Sequence, residues 1–450
     1  MDKRTFLKTS SVLAGGAALS RFVACKPEAP KEHLKNWSGN LEYSTGNVHY
    51  PKTVEQVQEV VKKCDKIRAL GSRHSFNTIA DSTENQLSTQ ELNKVVSLDK
   101  AANTVTVESG IKYGELAPYL HENGYALPNL ASLPHITVAG ACSTATHGSG
   151  VKNGNLSTAV SAIEFVNAEG DLVTLSKSKD GEQFYGAVVA LGALGIVTKL
   201  TLDLQPTFNM KQVVYRNLPM SELKNNFDDI LSRGYSVSLF TDWKNKNINE
   251  VWIKSRADDN ITAAELNLYG AKLATENMHP IEGESAENVT DQMGIAGPWF
   301  ERMPHFKMGF KPSAGKELQS EFFVPIEHGY EAMMAVETLQ EQISPYILIS
   351  EIRTINADNF WMSPCYKKTC VAIHTTWKQE IDSVMKLLPL FEEKLAPFNV
   401  KPHWAKLFTL SPSVLQQRYE KLADFKHLVN QYDPGGKFRN EFVNKNLYNI

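Results

Sequence analysis

Two stretches decide how this chain is read: Leu70-Gly71-Ser72-Arg73-His74-Ser75-Phe76-Asn77, and Thr137-Val138-Ala139-Gly140-Ala141-Cys142-Ser143-Thr144-Ala145-Thr146-His147-Gly148-Ser149-Gly150. Both are crowded with glycine, alanine, serine and threonine. Small residues let a backbone approach a ligand closely, and successive N–H groups with Ser and Thr hydroxyls can form an anion nest without a full positive charge. The pyrophosphate of a dinucleotide is a ligand of that kind. Neither stretch is a Walker A sequence, and neither is a Gly-x-Gly-x-x-Gly following a first strand, which argues against P-loop nucleotidases and Rossmann dehydrogenases. Taken singly, each loop is equally compatible with tight turns.

Around the loops, Val54, Val57, Val60, Val61 and Cys64 recur at helical spacing, so a helix is expected over 53–64 and a strand over 67–70 leading into the first loop. Alternation predicts strands over 104–108 and 196–204, a helix over 113–123 around Pro118, and a hairpin over 163–175 turning at Glu169-Gly170-Asp171. This is an α+β domain over 36–206. Beyond Pro206 the expected elements are a helix near 221–232, strands near 235–242 and 251–255, a loop-rich stretch over 256–316 and a helix over 326–343. Strands near 347–354 and 370–377 and a helix over 378–395 then complete a second α+β unit over 207–450, ending in Asp433-Pro434-Gly435-Gly436-Lys437-Phe438. At 450 residues the chain is too long for one core, and the seam between domains is a common place for a ligand.

Lys and Arg number 47 against 50 Asp and Glu, a net charge of −3 with no basic stripe, so phosphate-neutralising nucleic-acid binding is not expected. Cys25, Cys64, Cys142, Cys365 and Cys370 form no Cys-x-x-Cys pair; no metal is expected, and Cys365 and Cys370 are near enough in sequence to pair or to stay free. Residues 1–25 read as an export segment. Lys3-Arg4-Thr5-Phe6-Leu7-Lys8 resembles a twin-arginine signal with Lys3 for the first arginine, and Phe22-Val23-Ala24-Cys25 resembles a lipobox that would place an acyl anchor on Cys25; a plain signal peptide is the alternative. Residues 26–35 read as a tether. The protein is thus expected to be periplasmic or membrane-anchored, and monomeric.

Glu351 and Arg353 share one face of an expected strand, with Ile352 on the other; His374 and Thr376 share a face opposite Ile373 and Thr375. If the strands are neighbours, they present Glu, Arg, His and Thr to one cavity, a wall suited to hydroxyls. A surface ion pair beside a core histidine is the plainer alternative.

The order of the two loops with Leu127-Pro128-Asn129-Leu130-Ala131-Ser132-Leu133-Pro134-His135-Ile136-Thr137 and Leu191-Gly192-Ala193-Leu194-Gly195-Ile196-Val197 resembles the vanillyl-alcohol oxidase family of FAD enzymes, within it the alditol oxidases. The resemblance runs through Met278-His279-Pro280, Glu351-Ile352-Arg353-Thr354 and Lys401-Pro402-His403-Trp404-Ala405-Lys406. It implies a two-domain fold, a PCMH-type FAD-binding domain plus an α+β substrate cap, with the C-terminal segment returning to the flavin. It implies FAD bonded covalently to His74 and held by Gly71, Ser72, Arg73, Ser75, Phe76, Asn77, Ser132, Thr137, Gly140, Thr144, Ala145, Thr146, His147, Val197 and His403. A polyol would be held by Ser132, Glu351, Arg353, Thr376 and Lys406, with His374, or a water on it, as base and with Lys406 and Arg353 stabilising negative charge. The reaction implied is oxidation of the terminal alcohol of an alditol such as xylitol or sorbitol to the aldose, with O2 reduced to H2O2 or an electron carrier in its place. A sugar-1,4-lactone oxidase or dehydrogenase of the same family, and a non-catalytic carbohydrate-binding lipoprotein, are the rival readings.

Overall fold

Two antiparallel sheets organise the chain. The first runs through β1 (Val95–Asp99), β2 (Thr104–Glu108), β3 (Val160–Val166), β4 (Leu172–Ser176) and β5 (Ile196–Asp203), in the spatial order β1-β2-β5-β3-β4. Its strands alternate as expected: Ile196, Thr198, Leu200 and Leu202 are buried, and their intervening neighbours are less so. A small parallel sheet of Val48–His49, Gln86–Ser88 and Arg68–Leu70 stands beside it and delivers the first glycine loop. The computed structural model describes residues 33–259, 268–309 and 316–450. The expected export segment, Cys25 and the tether up to residue 32 lie outside the described residues.

Among the described residues the second sheet has nine strands. Its long members are β6 (Asn209–Pro219), β7 (Ser236–Thr241), β8 (Asn247–Arg256), β9 (Glu317–Pro325), β10 (Ile347–Ile355) and β11 (Cys370–Lys378), in the order β6-β8-β7-β10-β11-β9. One face is apolar. Leu239, Ile352, Ile373 and Phe322 lie side by side across β7, β10, β11 and β9, and pack into a core shared with helices Leu223–Ser232, Gly329–Glu337 and Ile381–Leu395. One residue away on every strand, the opposite face carries Phe240, Glu351, His374 and Glu321 in the next cross-strand row. The period of two thus commits one side of the sheet to burial against helices and leaves the other for a site.

Residues 317–325, which the sequence pattern leaves unassigned between the loop-rich stretch and the expected helix, form β9, buried at every position with polar Glu317, Gln319 and Glu321 on one face. Two expectations need correcting. The helix expected over 326–343 is interrupted between Gly329–Glu337 and Gln340–Ile343, where Thr338 Oγ1 donates to the Ala335 carbonyl and Leu339 N donates to Val336, tightening the turn. The second glycine-rich stretch is not all loop, since Val138–Ser143 forms a short helix. Cys365 and Cys370 are both buried and free. Among the described residues no helix is long and apolar enough to cross a membrane, and no cluster of His, Cys, Asp or Glu could hold a metal ion.

Candidate active site

The polar face of the second sheet and the glycine loops enclose one cavity of about 420 Å³. At its loop end Gly71 and Gly140 converge on the same hydroxyl. A Cβ at Gly71 would stand 2.6 Å from Thr137 Oγ1, and one at Gly140 would stand 2.7 Å from it. That buried hydroxyl has no hydrogen-bond partner. Arg73, Ala145 and Leu191 adopt left-handed backbone conformations (φ 61°, 53° and 56°), a strain that non-glycine residues keep where a ligand contour demands it. A cradle of this shape, with an unused donor behind it, fits the phosphates of FAD. His74 sits against Trp37 with ring centroids 4.5 Å apart, and burial, with Lys406, His135 and His374 adding to it, pushes the imidazole down to about 3. It is therefore a neutral nitrogen nucleophile at any working pH.

Of the residues expected to hold FAD, Gly71 to Ser75, Ser132, Gly140, Thr144, Thr146, His147, Val197 and His403 line the cavity. Phe76, Asn77, Thr137 and Ala145 do not. Phe76 belongs to the core under the second sheet, and its N–H donates to the Ala405 carbonyl. Asn77 donates to the carbonyls of Trp404 (2.9 Å) and Lys406 (2.7 Å), clamping the loop that carries Lys406. Thr137 backs the two glycines, and Ala145 makes the turn that presents Thr144 and Thr146.

The substrate end is built on the sheet. β10 and β11 are antiparallel neighbours, so Glu351 stands directly beside His374, with Arg353 and Thr376 in the flanking rows. Ser132, Glu351, Arg353, His374, Thr376 and Lys406 all line the cavity. Arg353 Nη1 donates to Ser132 Oγ at 3.2 Å, joining the loop to the sheet. At the centre lies Glu321 of β9, which residue-by-residue reading had not singled out. Its Oε2 is 2.6 Å from Lys406 Nζ, and its Oε1 is 2.9 Å from Arg353 Nη2 and 3.2 Å from His147 Nε2. Burial alone would raise this carboxyl, but Lys406, His147 and Arg353 outweigh it and hold it well below the usual carboxylate range. Burial likewise works to raise Glu351, and Arg353 and His305 bring it below its ordinary value.

His374 has both ring nitrogens engaged: Nδ1 lies 2.7 Å from Lys406 Nζ and Nε2 lies 3.0 Å from Thr376 Oγ1. Burial first, then Lys406, pushes the ring down to about 4, so it is neutral and carries one hydrogen. Burial pulls Lys406 below the ordinary lysine value while Glu321 pulls it back up. Two further buried residues were not foreseen: His305, whose Nε2 is 2.7 Å from Glu351 Oε1, and Lys254 behind it. The alternation Glu317-x-Gln319-x-Glu321 against Leu318, Ser320 and Phe322 was a legible signal for Glu321. Lys254 and His305 carried none, because their partners are distant in sequence.

A small-residue cradle opening onto a wall of paired charges suits an enzyme that oxidises a hydroxylated carbon. Residues 46–176 match the FAD binding domain family, and residues 312–446 match the D-arabinono-1,4-lactone oxidase family. In fold the chain is similar to cholesterol oxidase from B. sterolicum, with a TM-score of 0.74 at 14% identity over 92% of this chain and 96% of that one. Fold and site together define an FAD-dependent oxidoreductase with the two-domain, PCMH-type architecture. An alditol oxidase of Streptomyces sp. is 42% identical over 91% of this chain and 98% of its own length. An L-gulono-1,4-lactone dehydrogenase of Mycobacterium tuberculosis is 25% identical over 92% and 98%. The chain belongs to the vanillyl-alcohol oxidase family, in the group that holds this alditol oxidase.

Proposed function

We propose that the protein oxidises the terminal primary alcohol of an alditol such as xylitol or sorbitol to the aldose and passes the electrons to O2, giving H2O2. The observation that carries this reading is the cross-strand row Glu321, His374 and Glu351, flanked by Arg353, Thr376 and Lys406, in a cavity continuous with the FAD loops. Carboxylates accept from hydroxyls, and the guanidinium and ammonium donate to them. Bound FAD supplies the hydride acceptor, and 36–206 is the part of the chain we assign to holding it, with 207–450 presenting the substrate.

The protein's own task is the hydroxyl proton. With Lys406 as an ammonium donating to Nδ1, His374 carries its hydrogen on Nε2 and cannot act as base. With Lys406 as an amine, the hydrogen sits on Nδ1 and Nε2 accepts from Thr376 Oγ1, through which the substrate proton is relayed: Thr376 takes the proton of the alcohol as it gives its own to Nε2. The Nδ1 hydrogen then passes to Lys406, whose new charge lies 2.6 Å from Glu321. Arg353 stabilises the oxygen as it loses its proton.

His74 is the proposed covalent attachment point, through an imidazole nitrogen to the 8α carbon of FAD. Its unprotonated imidazole and its place in the lining of the cavity support this. In a His74→Ala variant the yellow colour should leave the protein on acid precipitation; colour kept in the pellet refutes the linkage. Export and a lipid anchor on Cys25 are proposed from Lys3-Arg4 and Phe22-Val23-Ala24-Cys25. A Cys25→Ser variant should then leave the membrane fraction.

The lactone reading has a specific support, the match of 312–446 to the D-arabinono-1,4-lactone oxidase family. One experiment separates the two. The visible spectrum of the purified protein should bleach on anaerobic addition of xylitol and recover in air with release of peroxide. Bleaching by a sugar 1,4-lactone and not by xylitol or sorbitol overturns the alditol reading.

A further inference from the structure

Lys254, on β8, is buried with its ammonium turned toward the loop over 303–306. Its Nζ lies 2.7 Å from the Met303 carbonyl, 2.8 Å from the Pro304 carbonyl and 3.1 Å from His305 Nδ1. Burial pulls this lysine well below its ordinary value, while Glu351 and the three acceptors, which match the three protons of an ammonium, favour the charged form. His305 Nδ1 is then bare, and the ring's hydrogen sits on Nε2, which donates to Glu351 Oε1 at 2.7 Å. The opposite assignment, an amine accepting from Nδ1–H, would leave a bare Nε2 facing a carboxylate. Trp252 and Phe240 hold the ring edge-on, with centroids 5.0 Å and 5.6 Å away.

The same loop also fixes the far side of the cavity. The backbone N–H groups of His305 and Phe306 both donate to the Ser132 carbonyl, at 3.0 and 3.2 Å. Ser132 Oγ in turn accepts from Arg353. One ammonium therefore sets one loop, and that loop sets both a carboxylate on the sheet and a serine on the flavin side.

We propose that Lys254 and His305 are positioning residues for substrate recognition: His305 aims Glu351 at a hydroxyl of the polyol, its loop fixes Ser132 across from it, and Lys254 holds that loop in place. This rests on reading the cavity as a polyol site. Neither residue moves the reacting proton, so their loss should weaken grip more than it slows the chemistry.

The test uses flavin-loaded full-length protein with xylitol and follows both steady-state turnover and anaerobic flavin reduction. His305→Phe should raise KM, and the substrate concentration for half-maximal reduction, roughly ten- to a hundredfold, the worth of a hydrogen bond to a charged group. The limiting reduction rate should fall far less. His305→Gln, which keeps an N–H donor, should recover most of the affinity, and Lys254→Met should move KM in the same direction as His305→Phe. Unchanged KM in flavin-loaded His305→Phe overturns the proposal, as does a Gln variant no better than Phe. Should His305→Phe fail to fold, His305→Gln and Lys254→Met decide by the same measure. If the wild-type flavin is not reduced by any alditol, the functional reading fails first and takes this inference with it; normal wild-type reduction with insensitive variants overturns the inference alone.

Discussion

Glu321 touches Lys406, Arg353 and His147 from a site no solvent reaches, so a change there is felt as charge. Because the carboxylate holds Lys406's proton on, and the base form of His374 requires that proton gone, flavin reduction by alditol should speed up as pH rises through the Lys406 titration. Glu321→Gln removes an influence that raises Lys406, so the rise should move to lower pH. A profile shifted upward, measured as the limiting reduction rate against pH, would contradict the assignment. Lys406→Met should keep its flavin, abolish the rise and lose turnover by about 100-fold or more, the usual worth of a positioned proton acceptor. Glu351 and Arg353 were legible in the sequence because a two-residue spacing on a strand puts them on one face. Glu321 carries the same spacing with Gln319, but only pairing with β11 reveals that His374 is its neighbour.

At the level of elements, the glycine loops are shaped by what stands behind them. Gly71→Ala would drive a methyl against Thr137 Oγ1, an overpacking expected to cost about 1–3 kcal/mol and to lower the flavin absorbance per protein. A Gly71→Ala/Thr137→Ala double variant removes the obstructing hydroxyl and should regain much of the flavin; no recovery would place the cost elsewhere. Local pattern identified β2, β5, β10 and β11 closely, since each alternates or is rich in β-branched residues. It missed β9 because the alternation there is short, broken by polar Ser320 and then by the apolar run Phe322-Phe323-Val324. The helix over 326–343 failed differently, at Thr338, whose hydroxyl competes for a backbone carbonyl.

Across the whole molecule, the C-terminal segment packs behind the strand that carries the first glycine loop. Arg68, fully buried, donates to the carbonyls of Gly192 (2.9 Å), Leu191 (2.8 Å), Phe438 (2.7 Å) and Ile79. Asp433 accepts from the N–H groups of Lys437 (2.6 Å) and Phe438 (2.9 Å), holding the Pro-Gly-Gly turn, and Ile67 N donates to the Lys437 carbonyl at 3.0 Å. One guanidinium thus ties three segments, at 79, 191–192 and 438, to its own strand. Arg68→Met strands four buried carbonyls and should destabilise the protein by about 3 kcal/mol, seen as a lower melting temperature and faster flavin release than wild type. A melting temperature equal to wild type would show the staple to be dispensable.

Periodicity, small-residue loops and the Glu-x-Arg and His-x-Thr spacings are local properties, and the sequence by itself determined from them a two-part α+β protein with two small-residue loops and a polar strand face; the flavin entered through the family resemblance. Which strands lie side by side depends on chain segments dozens to hundreds of residues apart meeting in one register, and no local window contains that. Tertiary structure therefore decided that Glu321 stands beside His374, that both nitrogens of His374 are spoken for, and that Lys254 and His305 support Glu351 from behind. The two glycine loops form a single contour because Thr137 Oγ1 stands directly behind both Gly71 and Gly140, a contact between loops far apart in sequence that only the fold creates.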